Sequence, residues 1–135
     1  MSTRVLVVDD HPVVRGGVVG WLAAQDDIDV VGEASDGLEA LAMVASLAPD
    51  VVLMDLRMPR MDGVTATERI SAAHPGVRVL VLTTYDTDAD IVRAVAAGAT
   101  GYLLKDAPLP QLADAVRAAA RTASASSGRG ASLSR

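Results

Sequence analysis

Acidic residues stand at two points of the sequence where an apolar run ends. Asp9 and Asp10 follow the run VLVV at residues 5–8, and Asp55 follows VVLM at residues 51–54. Carboxylates that lie close together raise each other's pKa unless a cation is bound. Mg²⁺ prefers carboxylate and carbonyl oxygens, with waters and phosphate oxygens completing its octahedron. If the fold brings these three acids together, they predict a Mg²⁺ site.

Two further polar residues end later apolar runs. Thr83 follows VLVL at residues 79–82, and Lys105 follows the run YLL. A metal, an ammonium group and a hydroxyl are the groups that the oxygens of a transferred phosphoryl group require. Carboxylates form aspartyl-phosphate intermediates, so Asp55 is the predicted acceptor. Each residue alone fits an ordinary cap, strand or surface position, and the prediction depends on their occurring together.

The elements that position these residues alternate between strands and helices. Short runs rich in β-branched residues predict five strands, at 4–10, 28–34, 50–55, 77–83 and 101–105. Strands separated by helices pair in parallel, and strands that are apolar on both faces belong in a sheet covered on both sides. We therefore predict an α/β fold with a doubly wound, five-stranded parallel sheet. The carboxyl ends of its strands, where such sheets bind ligands, would gather the polar residues.

Helical spacing of apolar residues also predicts the buried faces of four helices. These faces are Val14, Val18, Trp21 and Leu22; Leu38, Leu41 and Ala45; Ile91, Val92, Val95 and Ala96; and Leu109, Leu112, Val116 and Ala119. A further helix over 64–73 has the weakest periodicity. We interpret His11 and His74 as structural, because Mg²⁺ rarely takes imidazole and His74 precedes Pro75 at a predicted helix end.

Length and composition limit the class of protein. With 135 residues and a mass of 13.9 kDa, the chain fits one domain. The net charge of −5 argues against nucleic-acid binding by this chain, and the lack of cysteine excludes disulfides and thiolate metal sites. No apolar run is long enough to cross a bilayer, and the N-terminus lacks a secretory layout. We expect a cytoplasmic protein with no membrane partner.

The sequence resembles the receiver domains of two-component response regulators over residues 4–121. The resemblance rests on VVDDHP, MDLRMPRMDG, LTT and YLLKD, which occur in the family's order and spacing. The stretches DDHPVVRGGV and LLKDAPLPQL resemble the NarL/FixJ (LuxR-type) branch. The resemblance implies the flavodoxin-like (βα)5 receiver fold. It also implies a signalling domain that catalyses only its own phosphorylation and dephosphorylation.

The resemblance also implies roles for individual residues. Asp55 would be the phosphoacceptor, and Lys105 would bind the phosphoryl oxygens. The implied Mg²⁺ ligands are Asp9, Asp10, Asp55 and the backbone carbonyl of Arg57.

A second set of implied residues concerns the response to phosphorylation. Thr83 would be the switch hydroxyl and Tyr102 the switch aromatic, while Arg57 and Tyr85 would tune dephosphorylation. The implied partners are a sensor histidine kinase and, after phosphorylation, a second copy of the chain. That second copy would pair through the face of the fourth helix, fifth strand and fifth helix, or through the first and fifth helices.

Members of this branch usually carry a C-terminal helix-turn-helix that binds DNA. Residues 122–135 are rich in Ser, Ala and Gly and contain no such domain, so we interpret 1–121 as the receiver and 122–135 as a linker or tail. We expect the chain to be part of a longer transcription regulator. The alternatives are a stand-alone receiver and an interaction module that works without phosphorylation.

Two enzyme classes fit the sequence poorly. A phosphohydrolase of the haloacid dehalogenase type needs a second Asp two positions after the nucleophile, and residue 57 is Arg. The phosphate-binding loop G-x-x-x-x-G-K-[ST] and the dinucleotide fingerprint do not occur. The phosphoacceptor interpretation therefore remains the preferred one.

Overall fold

Strands and helices alternate in the computed structural model, which describes residues 2–84 and 88–129. The strands are β1 (Thr3–Val8), β2 (Ile28–Ala34), β3 (Val51–Asp55), β4 (Arg78–Thr83) and β5 (Gly101–Leu104). The helices are α1 (Pro12–Ala23), α2 (Gly37–Leu47), α3 (Gly63–Ala73), α4 (Asp88–Ala96) and α5 (Leu109–Arg129). All neighbouring strands are parallel, in the order β2-β1-β3-β4-β5. This topology confirms the predicted doubly wound, flavodoxin-like receiver fold.

Side chains that alternate along each strand feed two separate cores, one on each face of the sheet. On one face, Leu6 and Val8 of β1 pack with residues of α2, α3 and α4. On the other face, Val5 and Val7 pack with residues of α1 and α5. The central strand β3 is buried along its whole length, which is why its sequence is apolar throughout until Asp55.

Two of the predicted helix faces are wrong in most of their residues, although Leu41 of α2 packs against the core and Ile91 of α4 is partly buried. In α2 the buried residues are Gly37, Ala40 and Val44, whereas Leu38 and Ala45 are exposed. The physical reason is close packing: small residues let this helix approach the loop after β3, where a Cβ on Gly37 would collide with Met61.

In α4 the same error occurs. Val92, Val95 and Ala96 are exposed, while Asp90 and Ala94 are buried. The apolar spacing pointed to the wrong side because a carboxylate occupies the buried side of this helix. By contrast, the face predicted for α5 is mostly correct, with Leu112, Val116 and Ala119 buried.

The chain after Arg121 begins as helix. Helix α5 continues to Arg129, so it enters the segment predicted as a linker or tail, whose role stays a prediction. Among the helices in the described ranges, none is long and apolar enough to cross a membrane.

Candidate functional site

The carboxyl ends of β1, β3, β4 and β5 bring the predicted polar residues to one edge of the sheet. Asp55 and Thr83 are the last residues of β3 and β4, and Asp9 and Lys105 directly follow β1 and β5. Ligand atoms of Asp9, Asp10, His11 and Asp55 all lie within 4.8 Å of one another. The sequence prediction that the three acids converge is therefore confirmed.

Lys105 joins two of these acids. Its Nζ lies 3.0 Å from Asp9 Oδ2 and 3.4 Å from Asp55 Oδ2. All three side chains are largely buried, so water screens these charges weakly. The backbone positions the lysine, because the Lys105 N–H donates to the Thr83 carbonyl at 2.9 Å and extends the pairing of β4 and β5.

The electrostatics of the site favour proton uptake by Asp55. Burial raises the pKa of the Asp55 carboxyl, and the charge of Asp9 adds to that effect, while Lys105 and the Arg57 backbone N–H oppose it. Burial by itself would lower the pKa of Lys105, but the hydrogen bond to Asp9 and the charge of Asp55 outweigh it and raise this pKa. The ammonium group therefore stays charged beside an acid cluster that it neutralises only in part.

His11 belongs to this cluster, although the sequence interpretation set it aside. Its Nδ1 lies 3.1 Å from Asp9 Oδ1 and 3.0 Å from Asp10 Oδ1. The signal that could have found it is its position directly after the two acids. Arg15, one turn further along α1, also reaches the site and donates to the Asp9 carbonyl at 2.6 Å. His74, in contrast, is the C-cap residue of α3, as a structural role requires.

The loop after β3 folds back on Asp55 because Gly63 has no side chain. The Gly63 N–H donates to the Leu56 carbonyl at 2.8 Å, and a Cβ on Gly63 would collide with the backbone oxygen of Asp55. The next helix, α3, is capped by Asp62, whose Oδ1 accepts from the Thr65 N–H at 2.8 Å. The glycine and the cap together fix the backbone that presents Asp55.

A second link fixes the same loop to α2. The buried Asp36 caps α2 by accepting from the Glu39 N–H, and its other oxygen accepts from the guanidinium of Arg60. Arg60 has a φ of 66°, a left-handed conformation that this ion pair helps to hold. The loop is therefore tied to the sheet at one end and to α2 in its middle.

The remaining predicted residues differ in how exposed their side chains are. Thr83 is buried, Tyr102 on β5 is half-exposed, and the Arg57 side chain reaches out to Asp90 of α4. Tyr85 lies outside the described residues. The partnership of Arg57 with Asp90 has no signal in the sequence, because the two residues are 33 positions apart.

Comparison with known proteins places this arrangement in a family. The sequence-family model of the response regulator receiver domain matches residues 5–117 of this chain. The transcriptional regulatory protein LiaR of Bacillus subtilis is 46% identical over 118 residues, which cover 87% of this chain and 56% of that protein. The response regulator protein VraR of Staphylococcus aureus is 46% identical over 121 residues, which cover 90% and 58%.

Solved structures agree with the sequence matches. The signal receiver domain of the putative response regulator NarL from Mycobacterium tuberculosis superposes with a TM-score of 0.86 at 40% identity, covering 89% of this chain and 97% of that one. A LuxR-family two-component response regulator from Aurantimonas sp. SI85-9A1 gives 0.86 at 34% identity, covering 90% and 87%. This chain spans little more than half the length of the curated relatives it matches. The acid cluster, the fold and these matches together show that the chain belongs to the response regulator receiver domain family, in its NarL/FixJ branch.

Proposed function

We propose that this domain accepts a phosphoryl group on Asp55 from the phosphohistidine of a sensor histidine kinase. The observation that carries the proposal is a buried carboxylate beside Lys105 and within 4.8 Å of further acidic ligand atoms. An Asp55 oxygen would attack phosphorus while the bond from phosphorus to the histidine nitrogen breaks, and the imidazole leaves. Such a domain speeds its own modification and is not an enzyme acting on other substrates.

The residues present fit a divalent cation. Three carboxylates converge with the ammonium group of Lys105 beside them, and burial raises the pKa of the Asp55 carboxyl, so a cation there would favour its charged form. The oxygens proposed to hold Mg²⁺ belong to Asp9, Asp10, Asp55 and the backbone carbonyl of Arg57, which matches the preference of this ion for oxygen ligands. When bound, the ion would neutralise charge that develops on the phosphoryl oxygens.

The chain's own residues would do the rest. The Lys105 ammonium group would bind a phosphoryl oxygen, because it already lies beside the Asp55 carboxylate. The Thr83 hydroxyl would donate to another oxygen and move inward as it did so. Tyr102, on the neighbouring strand and half-exposed, would then rotate into the space that Thr83 leaves.

The output would be a changed surface around α4, β5 and α5. A phosphoryl group adds about −1.5 to −2 charge and strong acceptor oxygens, which bias a pre-existing equilibrium between two conformations. The changed surface would favour a dimer. In a longer protein it would control transcription through a C-terminal DNA-binding domain, and the relative LiaR is named a transcriptional regulatory protein. Arg57 and Tyr85 would set how long the phosphoryl group persists.

Beryllofluoride, a stable mimic of a phosphoryl group, tests this proposal by titration calorimetry. The wild-type protein should bind it only with Mg²⁺, Asp55→Asn should not bind it, and Asp10→Ala should require more Mg²⁺. Asp29→Ala, at an exposed acid of β2, is the matched control and should bind like wild type. Binding by Asp55→Asn with unchanged affinity, or no binding by wild type, would refute the proposed site.

A further inference from the structure

Arg57 contacts the phosphoacceptor and helix α4 at the same time. Its backbone N–H donates to the Asp55 carboxylate, which opposes the rise in the pKa of that group. Its guanidinium Nη2 donates to Asp90 Oδ2 at 3.1 Å, across 33 positions of sequence. A single residue therefore connects the proposed site of phosphorylation to the first turn of α4.

The acid in this ion pair is the better fixed of its two members. The Asp90 side chain is 12% exposed, whereas the Arg57 side chain is 68% exposed and has more freedom to move. Arg93 Nη1 also lies 3.8 Å from Asp90 Oδ1, so the carboxylate holds a second cation on its other oxygen. The buried acid is the anchor, and the exposed guanidinium is the part that can change partner.

Apolar packing holds α4 only lightly against this region. Ala94 is the buried apolar residue among the described side chains of α4, while Val92 and Val95 are exposed. A cavity of about 230 Å³ lies between the loop after β3 and α4, lined in part by Leu56, Arg57 and Asp90. The guanidinium therefore has space to move.

We infer that Asp90 is a positioning residue of the phosphoryl site: it holds the Arg57 guanidinium against α4 and competes for it with a phosphoryl group on Asp55. This inference rests on the proposed function and adds that α4 acts on the phosphoryl site through Asp90. A phosphoryl group would place about −1.5 to −2 charge beside the Arg57 backbone. The phosphoryl group and the Asp90 carboxylate then both attract the Arg57 guanidinium, so phosphorylation weakens the contact that Arg57 makes with α4.

Beryllofluoride affinity with saturating Mg²⁺ measures this competition. Asp90→Asn removes the competing charge, so the affinity should rise by about two- to fivefold, the range of a partly exposed ion pair. Asp90→Glu keeps the charge and should bind like wild type. In an Arg57→Gln background, Asp90→Asn should have no effect, because the guanidinium it would release is gone.

The outcomes separate this inference from the proposed function. No binding by wild type would refute the proposed function itself. The competition for Arg57 is refuted if wild type binds beryllofluoride and Asp90→Asn binds it with the same affinity. It is also refuted if Asp90→Asn raises the affinity equally in the wild-type and the Arg57→Gln backgrounds. A measurement on wild type avoids any folding defect of the variants: the NMR signal of the Arg57 Nε–H, assigned by its loss in Arg57→Gln, should shift when beryllofluoride binds. An unchanged signal would overturn the inference.

Discussion

At the scale of single residues, Asp55 destabilises the metal-free fold. Its folded pKa lies above the ordinary value of 3.8 because burial disfavours the carboxylate. The folded state therefore binds the proton more tightly than the unfolded state. At a pH above the folded pKa, the whole of this loss of stability is present. It disappears as the pH falls through the folded pKa towards 3.8, the ordinary value.

We predict that Asp55→Asn raises the free energy of unfolding of the metal-free protein at pH 7, because the amide carries no charge to bury. The difference from wild type should shrink as the pH falls towards about 4. Mg²⁺ should stabilise wild type more than the variant. Chemical denaturation across this pH range checks the prediction, with Asp29→Asn as the control. A variant less stable than wild type at pH 7 would contradict it.

Lys105 should have the opposite effect on stability. Lys105→Met leaves Asp9 and Asp55 without their ammonium partner, so we predict that the free energy of unfolding falls by about 1.5–3 kcal/mol without metal. Added Mg²⁺ should recover part of that loss, because it supplies positive charge to the same acids. Arg69→Met, at an exposed cation of α3, is the control and should stay near wild type. Equal losses in the two variants would show that the Lys105 contacts contribute little.

At the scale of elements, the turn that presents Asp55 depends on Gly63. A methyl group there would meet the Asp55 carbonyl, so we predict that Gly63→Ala lowers the free energy of unfolding by about 1–3 kcal/mol and weakens beryllofluoride binding. Gly20 in α1 is the matched control, because a Cβ there meets nothing within 4 Å. Gly20→Ala should stabilise the protein by about 0.5–1 kcal/mol. Thermal unfolding distinguishes the two, and a Gly63→Ala protein as stable as wild type would contradict this account of the turn.

The elements themselves could be predicted from sequence because strand runs and breakers are local signals. The predicted strand at 50–55 and the observed Val51–Asp55 differ by one residue. The convergence of Asp9, Asp55 and Lys105 followed from parallel topology, since parallel strands end at one edge. The buried faces of α2 and α4 could not be predicted, because they depend on close approach at Gly37 and on the buried Asp90. Those are properties of tertiary contacts, as is the link from Arg57 to α4.

At the scale of the whole molecule, phosphorylation should change association. Tyr102 and the α4 residues Val92 and Val95 leave apolar surface exposed beside the proposed switch. We predict a monomer that shifts towards a dimer with Mg²⁺ and beryllofluoride, and a much smaller shift for Thr83→Ala. Light scattering checks this, and an equal shift in both proteins would remove Thr83 from the mechanism.

The same measurement identifies the dimer surface. Val95→Asp places a charge on the exposed side of α4, and Val13→Asp does so on α1, where Val13 is exposed. If the surface of α4, β5 and α5 forms the dimer, Val95→Asp should abolish the shift and Val13→Asp should leave it intact. The reverse result would assign the dimer to the first and fifth helices.

Intact-mass spectrometry after incubation with Mg²⁺ and acetyl phosphate shows whether Asp55 takes the phosphoryl group. Wild type and Asp29→Asn should each gain the mass of one phosphoryl group, lose it in acid and gain none without Mg²⁺. Asp55→Asn should gain none under any condition. A full, Mg²⁺-dependent gain by Asp55→Asn, or no gain by folded wild type, would rule out Asp55 as the phosphoacceptor.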